Sequence, residues 1–143
     1  MAKISFYLFF FFFERQVESA CRLCRKILRN AAKIWLHCPD PELQQQLDDR
    51  LWSFDPTSFL AHGIDQTHAP ICISAQLPTA TSLTESNPIE WIVFNFNNQP
   101  LEQVTQFSHI IEIVENDESA KHIGREKYKA YRRMGISPQT FKL

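Results

Sequence analysis

The eight residues "IEWIVFNF", Ile89 to Phe96, constrain the fold more than any other stretch. In an extended chain successive side chains point to opposite faces, so Ile89, Trp91, Val93 and Asn95 share one face and Glu90, Ile92, Phe94 and Phe96 the other. Both faces are mainly apolar. A strand with two apolar faces belongs in the middle of a sheet covered by helices on both sides, the usual situation of a parallel sheet.

The remaining sequence has the alternation such a sheet needs. "KISFYLFF" reads as a first strand, with Phe10 to Phe13 continuing it or forming an apolar turn. From Val17 the apolar positions Ala20, Cys21, Cys24, Ile27, Leu28 and Ala31 fall on one face of a helix, with Arg22, Arg25, Lys26 and Arg29 on the other. "AKIWLHC" is a second strand, which completes a βαβ unit with parallel strands. "PELQQQLDDRLWSF" resumes helical spacing at Leu43, Leu47 and Leu51, with Pro41 in the first turn and Trp52 near the end. "DPTSFLAHGIDQTHAP" has the residues of a loop, "ICISA" is a short strand and "QLPTATSLTESNP" is a polar connector. After "IEWIVFNF" come a short helix, "LEQVTQFS", a last strand, "HIIEIVE", and a final helix that begins at Glu118 behind an Asn116 or Asp117 cap. The expectation is one α/β domain over residues 1–143, with a mostly parallel sheet flanked by helices.

Lys3 followed by an almost unbroken apolar run imitates a signal peptide, but Glu14, Arg15 and Glu18 follow at once and no small-residue cleavage pattern is present. The run is also shorter than the roughly 20 residues of a membrane helix. It reads instead as a buried strand of a cytoplasmic protein. Four cysteines, at 21, 24, 38 and 72, are too few for a disulfide scaffold and read as reduced, buried thiols.

A doubly wound sheet invites a nucleotide, yet the phosphate-binding turn needs closely spaced glycines, and the only glycines are Gly63, Gly124 and Gly135. No cofactor is expected. "CRLC" has metal-ligand spacing, but Cys21 and Cys24 share the apolar helix face, so core packing accounts for them without a metal. The histidines at 37, 62, 68, 109 and 122 show no recurrent spacing with a nucleophile or carboxylate, and no catalytic residue is assigned.

Charge is distributed unevenly. Seven of the fifteen lysines and arginines, and one of the sixteen acids, lie from Lys121 onward. On helical geometry Ala120, Ile123, Lys127, Ala130 and Met134 form a stripe expected to pack on the sheet. Lys121, Arg125, Tyr128, Lys129 and Arg132 form a second stripe, a cationic ridge with an aromatic ring in it. Gly135 suits the helix C-terminus, with Ile136 making an apolar contact and Pro138 preventing continuation. A solvated face would also carry cations near the C-terminal dipole, but this one lacks the alternating signs that support exposed helices. The ridge suits two partners, nucleic-acid phosphates or an acidic peptide with Tyr128 and Tyr131 beside an apolar pocket.

"REKYKAYRRMG", with its approach "ESAKHIG", closely resembles the C-terminal helix of the DNA polymerase III chi subunit family. Supporting matches are the opening "FYL", then "LDDRLW" followed by Pro56, Ser58 and Phe59, and the order of elements along essentially the whole chain. The resemblance implies a Rossmann-like, non-catalytic subunit that pairs with the psi subunit in the clamp-loader complex. It also implies binding of the acidic, phenylalanine-ending tail of single-stranded DNA-binding protein. Carried over by position, the tail-binding residues are Lys121, Arg125, Tyr128, Lys129, Tyr131 and Trp52, and the psi-facing residues are Phe59 and Val114. The run from Phe9 to Phe13 departs from the family, whose members turn polar after the first strand. The rival expectation is direct binding of single-stranded nucleic acid by the same helix.

Overall fold

The computed structural model describes residues 3–8, 20–25, 33–53, 62–65, 70–76, 91–101, 107, 109–115 and 117–142. The strands are β1 (Lys3–Leu8), β2 (Lys33–His37), β3 (His62–Ile64), β4 (Ile71–Ser74), β5 (Trp91–Asn95), β6 (His109–Val114) and β7 (Gln139–Lys142). The helices are α1 (helical residues 20–25), α2 (Pro41–Ser53) and α3 (Glu118–Arg133). All seven strands are parallel, in the order β3-β4-β2-β5-β6-β1-β7. The central strand is β5, the one whose sequence is apolar on both faces. β1 and β2 are parallel but not neighbours, since β6 and β5 lie between them.

The period of two divides the core. Ile34, Leu36, Ile71, Ile73, Phe94 and Ile111 point to one face, where Ala20, Cys21, Leu23 and Cys24 of α1 and Leu47 and Leu51 of α2 pack on them. Ile4, Phe6, Trp35, Cys72, Trp91, Val93 and Ile110 point to the other face and pack with Tyr131 of α3. Full burial of Leu47 and of Leu51 contributes about 1.5–3 kcal/mol each, enough to hold an otherwise polar helix on the sheet. All four cysteines are buried thiols. Burial pushes the Cys24 thiol well up, and the Cys38 thiol to about 11.

Two strands differ from the sequence expectation. β3 lies inside the stretch read as a loop. Three half-buried residues, one of them glycine, carry too little pattern to read, but their backbone pairs with β4. Asp65 then turns with φ 56°, its N–H donating to Ile73 O at 2.7 Å and its carboxylate accepting from Ser74 Oγ at 2.8 Å. β7 follows Pro138, where no further strand was expected, and pairs with β1 at the other edge of the sheet, with Phe141 stacked on Tyr7 at 5.2 Å. The Phe9 to Phe13 run, Phe59, most of the "LEQVTQFS" segment and the ends of the first helix lie outside the described residues.

A cation-flanked cavity on the last helix as candidate functional site

α3 is closed at both ends by its own sequence. Asp117 caps it, accepting from Ala120 N–H at 2.8 Å. At the other end Gly135 adopts φ 87°, donating to Arg132 O at 3.0 Å, while Ile136 N–H donates to Tyr131 O at 3.2 Å. This pair of bonds is the Schellman closure, and the left-handed residue it requires is the glycine.

The helix sits on the sheet rotated from the expected stripe. Its buried residues are Gly124, Lys127 and Tyr131, whereas Ala120, Ile123 and Ala130 are half-buried and Met134 is 40% exposed. At 100° per residue the packed face has turned by roughly 50° toward Tyr131. Two local causes act together. Gly124 lets the helix approach β6 closely, since a Cβ there would lie 3.0 Å from Val114 Cγ2. Glu112, on the α3 face of β6 and only 1% exposed, draws polar groups down to it. Its Oε1 accepts from Lys127 Nζ at 2.7 Å, and its Oε2 accepts from Tyr131 Oη at 2.6 Å and Asn95 Nδ2 at 2.8 Å. Burial holds the Glu112 carboxyl above the usual range, against the opposing pull of Lys127, Tyr131 and Asn95. Burial, with the Glu112 carboxylate adding to it, pushes the Tyr131 phenol well up.

A cavity of about 280 Å³ lies along one flank of α3. Phe6 and Leu8 of β1, Val114 of β6 and Gly124 form its apolar part, and Lys121, Arg125, Tyr128, Glu115 and Thr140 complete the lining. An apolar cavity of about 150 Å³ takes a benzene ring, so this one has room for an aromatic side chain. Phe6 meets Tyr128 edge-on at a ring-centroid distance of 5.5 Å. The flanking cations are weakly engaged: Lys121 lies 3.9 Å from Glu118 and Lys129 3.6 Å from Glu126, both one helical turn apart. Exposed pairs of this kind contribute only about 0.2–0.5 kcal/mol and exchange readily for a partner's carboxylates.

Lys121, Arg125 and Tyr128 therefore converge on one cavity, with Lys129 one turn beyond Arg125 on the same helix. Tyr131 does not join them. It is fully buried, and its hydroxyl is engaged by Glu112 and by Leu101 N–H at 3.1 Å. Trp52 does not join them either: it is 56% exposed near the end of α2, its ring tilted against that of His62 on edge strand β3 at a centroid distance of 4.6 Å, on the other sheet face and at the far edge. Val114, assigned by resemblance to a separate surface, is part of the cavity wall itself. The residues that sequence reasoning missed are Phe6, Asn95, Glu112 and Gly124. A lone acid in "HIIEIV" was the visible signal for one of them.

Fold and site together define a class, a parallel α/β protein whose glycines support a helix approach and a helix end rather than a phosphate-binding turn after β1. Its distinctive surface is the cation-flanked apolar cavity on α3. The sequence profile described as DNA polymerase III chi subunit, HolC, matches residues 1–139, and the chain belongs to that family. A relative from Pseudomonas aeruginosa named DNA polymerase III subunit chi is 27% identical over 130 residues, covering 90% of this chain and 87% of the relative. Proteins of the same name from Haemophilus influenzae and Escherichia coli are 28% and 24% identical over 125 and 127 residues. Each of these matches covers 86% of this chain, and they cover 84% and 82% of the two relatives respectively. Among the described residues no helix is long and apolar enough to cross a membrane.

Proposed function

We propose that the protein is a single-domain, non-catalytic accessory subunit of DNA polymerase III, acting in DNA replication in the cytoplasm. It links the clamp-loader complex to single-stranded DNA-binding protein by holding that protein's acidic C-terminal tail on α3, and it pairs with the psi subunit. The observation that carries this reading is the apolar cavity lined by Phe6, Leu8 and Val114 beside Lys121 and Arg125. An acidic peptide ending in phenylalanine matches both parts: its ring suits the cavity, while its carboxylates suit the cations. A ridge that served only to track nucleic-acid phosphates would have no use for an apolar recess beside it. Contacts to psi are assigned to Phe59 and Val114, of which Val114 also lines the cavity.

The test is a fluorescence-anisotropy titration with three labelled probes: an acidic peptide ending in Phe, the same peptide without its Phe, and a single-stranded oligonucleotide. The complete peptide binds, loss of the Phe weakens binding at least tenfold, and the oligonucleotide binds weakly. Tight binding of the oligonucleotide with indifference to the Phe would replace this reading by direct nucleic-acid binding.

A further inference from the structure

Lys127 and Tyr131 belong to the same basic, tyrosine-rich segment as Arg125, yet they do different work. Both are bonded to the Glu112 carboxylate, at 2.7 and 2.6 Å, and they lie one helical turn apart. Two successive turns of α3 are thus tied to a single point on β6. The same carboxylate holds Asn95, which donates on to Gln99 O at 2.9 Å, and the Tyr131 hydroxyl accepts from Leu101 N–H. Helix, central sheet and the segment after β5 are fastened together under the helix.

Attachment at two turns fixes both the rotation of α3 about its axis and its slide along the sheet. Rotation matters because side-chain tips lie about 5–6 Å from a helix axis, so a 20° turn moves them by about 2 Å. A shift of that size breaks a charge-assisted hydrogen bond, whose length is about 2.7–2.9 Å. Tyr131 also sets the cavity directly. Its ring meets Phe6 edge-on at 6.0 Å, and Phe6 in turn meets Tyr128 and lines the cavity. With Glu112 1%, Tyr131 0% and Lys127 8% exposed, none of the three is placed to touch a macromolecular partner.

We infer that Glu112, Lys127, Tyr131 and Asn95 are positioning residues, which hold α3 in the rotation that brings Lys121, Arg125 and Tyr128 to one cavity. Lys127 is then a cation of the fold and not of the binding surface. The inference rests on the peptide-binding reading above.

The variant Tyr131→Phe keeps the ring and removes both hydroxyl contacts. Two quantities separate positioning from contact: peptide affinity in a variant that keeps the Lys127 cation but removes its anchor, and hydrogen exchange at the Leu101 amide. Tyr131→Phe is expected to weaken binding of the acidic, Phe-ending peptide about three- to tenfold, with faster exchange at Leu101. In Glu112→Gln, which keeps the Lys127 cation and removes the carboxylate that anchors it, affinity falls similarly. Unchanged or tighter binding in Glu112→Gln, as a freed contact cation would give, makes Lys127 a contact and overturns the inference. Unchanged affinity in Tyr131→Phe with an unprotected Leu101 amide overturns it alone, whereas failure of the unsubstituted protein to bind the peptide refutes the peptide reading as well. Should Tyr131→Phe not fold, Glu112→Gln alone, nearly isosteric, is measured by the same criteria.

Discussion

Replacing Lys127 by methionine keeps most of the buried stem and removes only the ammonium, so its effect isolates the ion pair with Glu112. The partner left behind is 1% exposed and retains hydrogen bonds from Tyr131 and Asn95 but no cation. Breaking a buried pair by removing one member costs about 3–5 kcal/mol, because the remaining charge is uncompensated. Against a typical total stability of about 5–15 kcal/mol that is a large fraction. The sign with pH follows from the carboxyl left behind. Burial raises Glu112 above its ordinary value of 4.5, and Lys127 opposes that rise, so the variant raises it further. A carboxyl whose folded value lies above its unfolded value lowers stability as pH rises from the unfolded value through the folded one. The deficit of Lys127→Met relative to the unsubstituted protein is therefore largest near neutral pH and shrinks toward pH 5, by at most about 1.4 kcal/mol per pH unit. Urea denaturation followed by tryptophan fluorescence at pH 5.0, 6.0 and 7.5 measures it, with Arg125→Met as the exposed control, expected within about 0.5 kcal/mol of the parent. A loss below 1 kcal/mol at pH 7.5, or a deficit that grows as pH falls, would refute the reasoning.

Arg125→Ala should weaken binding of the acidic peptide at least tenfold while leaving stability nearly unchanged, because the guanidinium is exposed; isothermal titration and denaturation together check both halves. Gly124→Ala places a Cβ 3.0 Å from Val114 Cγ2, so the usual gain of about 1 kcal/mol for alanine in a helix is offset by about 1–3 kcal/mol of overpacking, and Val114→Ala in the same chain should recover stability. His109, whose Nε2 lies 2.7 Å from Ser5 Oγ, is held down to about 4 by burial and by Lys3, so its ring resonances should stay those of a neutral imidazole through pH 5.5. In native protein at pH 8 all four thiols should react slowly with a disulfide reagent, and all four rapidly after denaturation.

Legibility followed the range of the forces involved. β1, β2, β4, β5 and β6 are apolar runs whose own residues bury them, and each appeared in the sequence. β3 and β7 are edge strands of three and four residues, half-buried in β3 and exposed at Gln139, Thr140 and Phe141 of β7; backbone pairing with β4 and β1 makes them strands, and side-chain pattern does not record that. The ends of α3 were legible because Asp117 and Gly135 act within one turn of their positions. Its rotation was not, since the cause is a glutamate on β6 that reaches residues 15 and 19 positions away. Trp52 illustrates the same limit: nothing in its surroundings along the chain says that α2 and α3 occupy opposite faces of the sheet.

The claim that α3 and its cavity hold an aromatic-ended acidic peptide is tested most directly by methyl NMR. Leu8 and Val114 line the cavity, whereas Leu43 and Ile64 lie on the opposite face and serve as controls. On titration with the Phe-ending peptide the account predicts saturable ring-current shifts at the Leu8 and Val114 methyls. Those shifts should vanish when the terminal Phe is replaced by Ala, with Leu43 and Ile64 unmoved throughout. Saturable binding that leaves Leu8 and Val114 unshifted, or that shifts Leu43 and Ile64 instead, would contradict it.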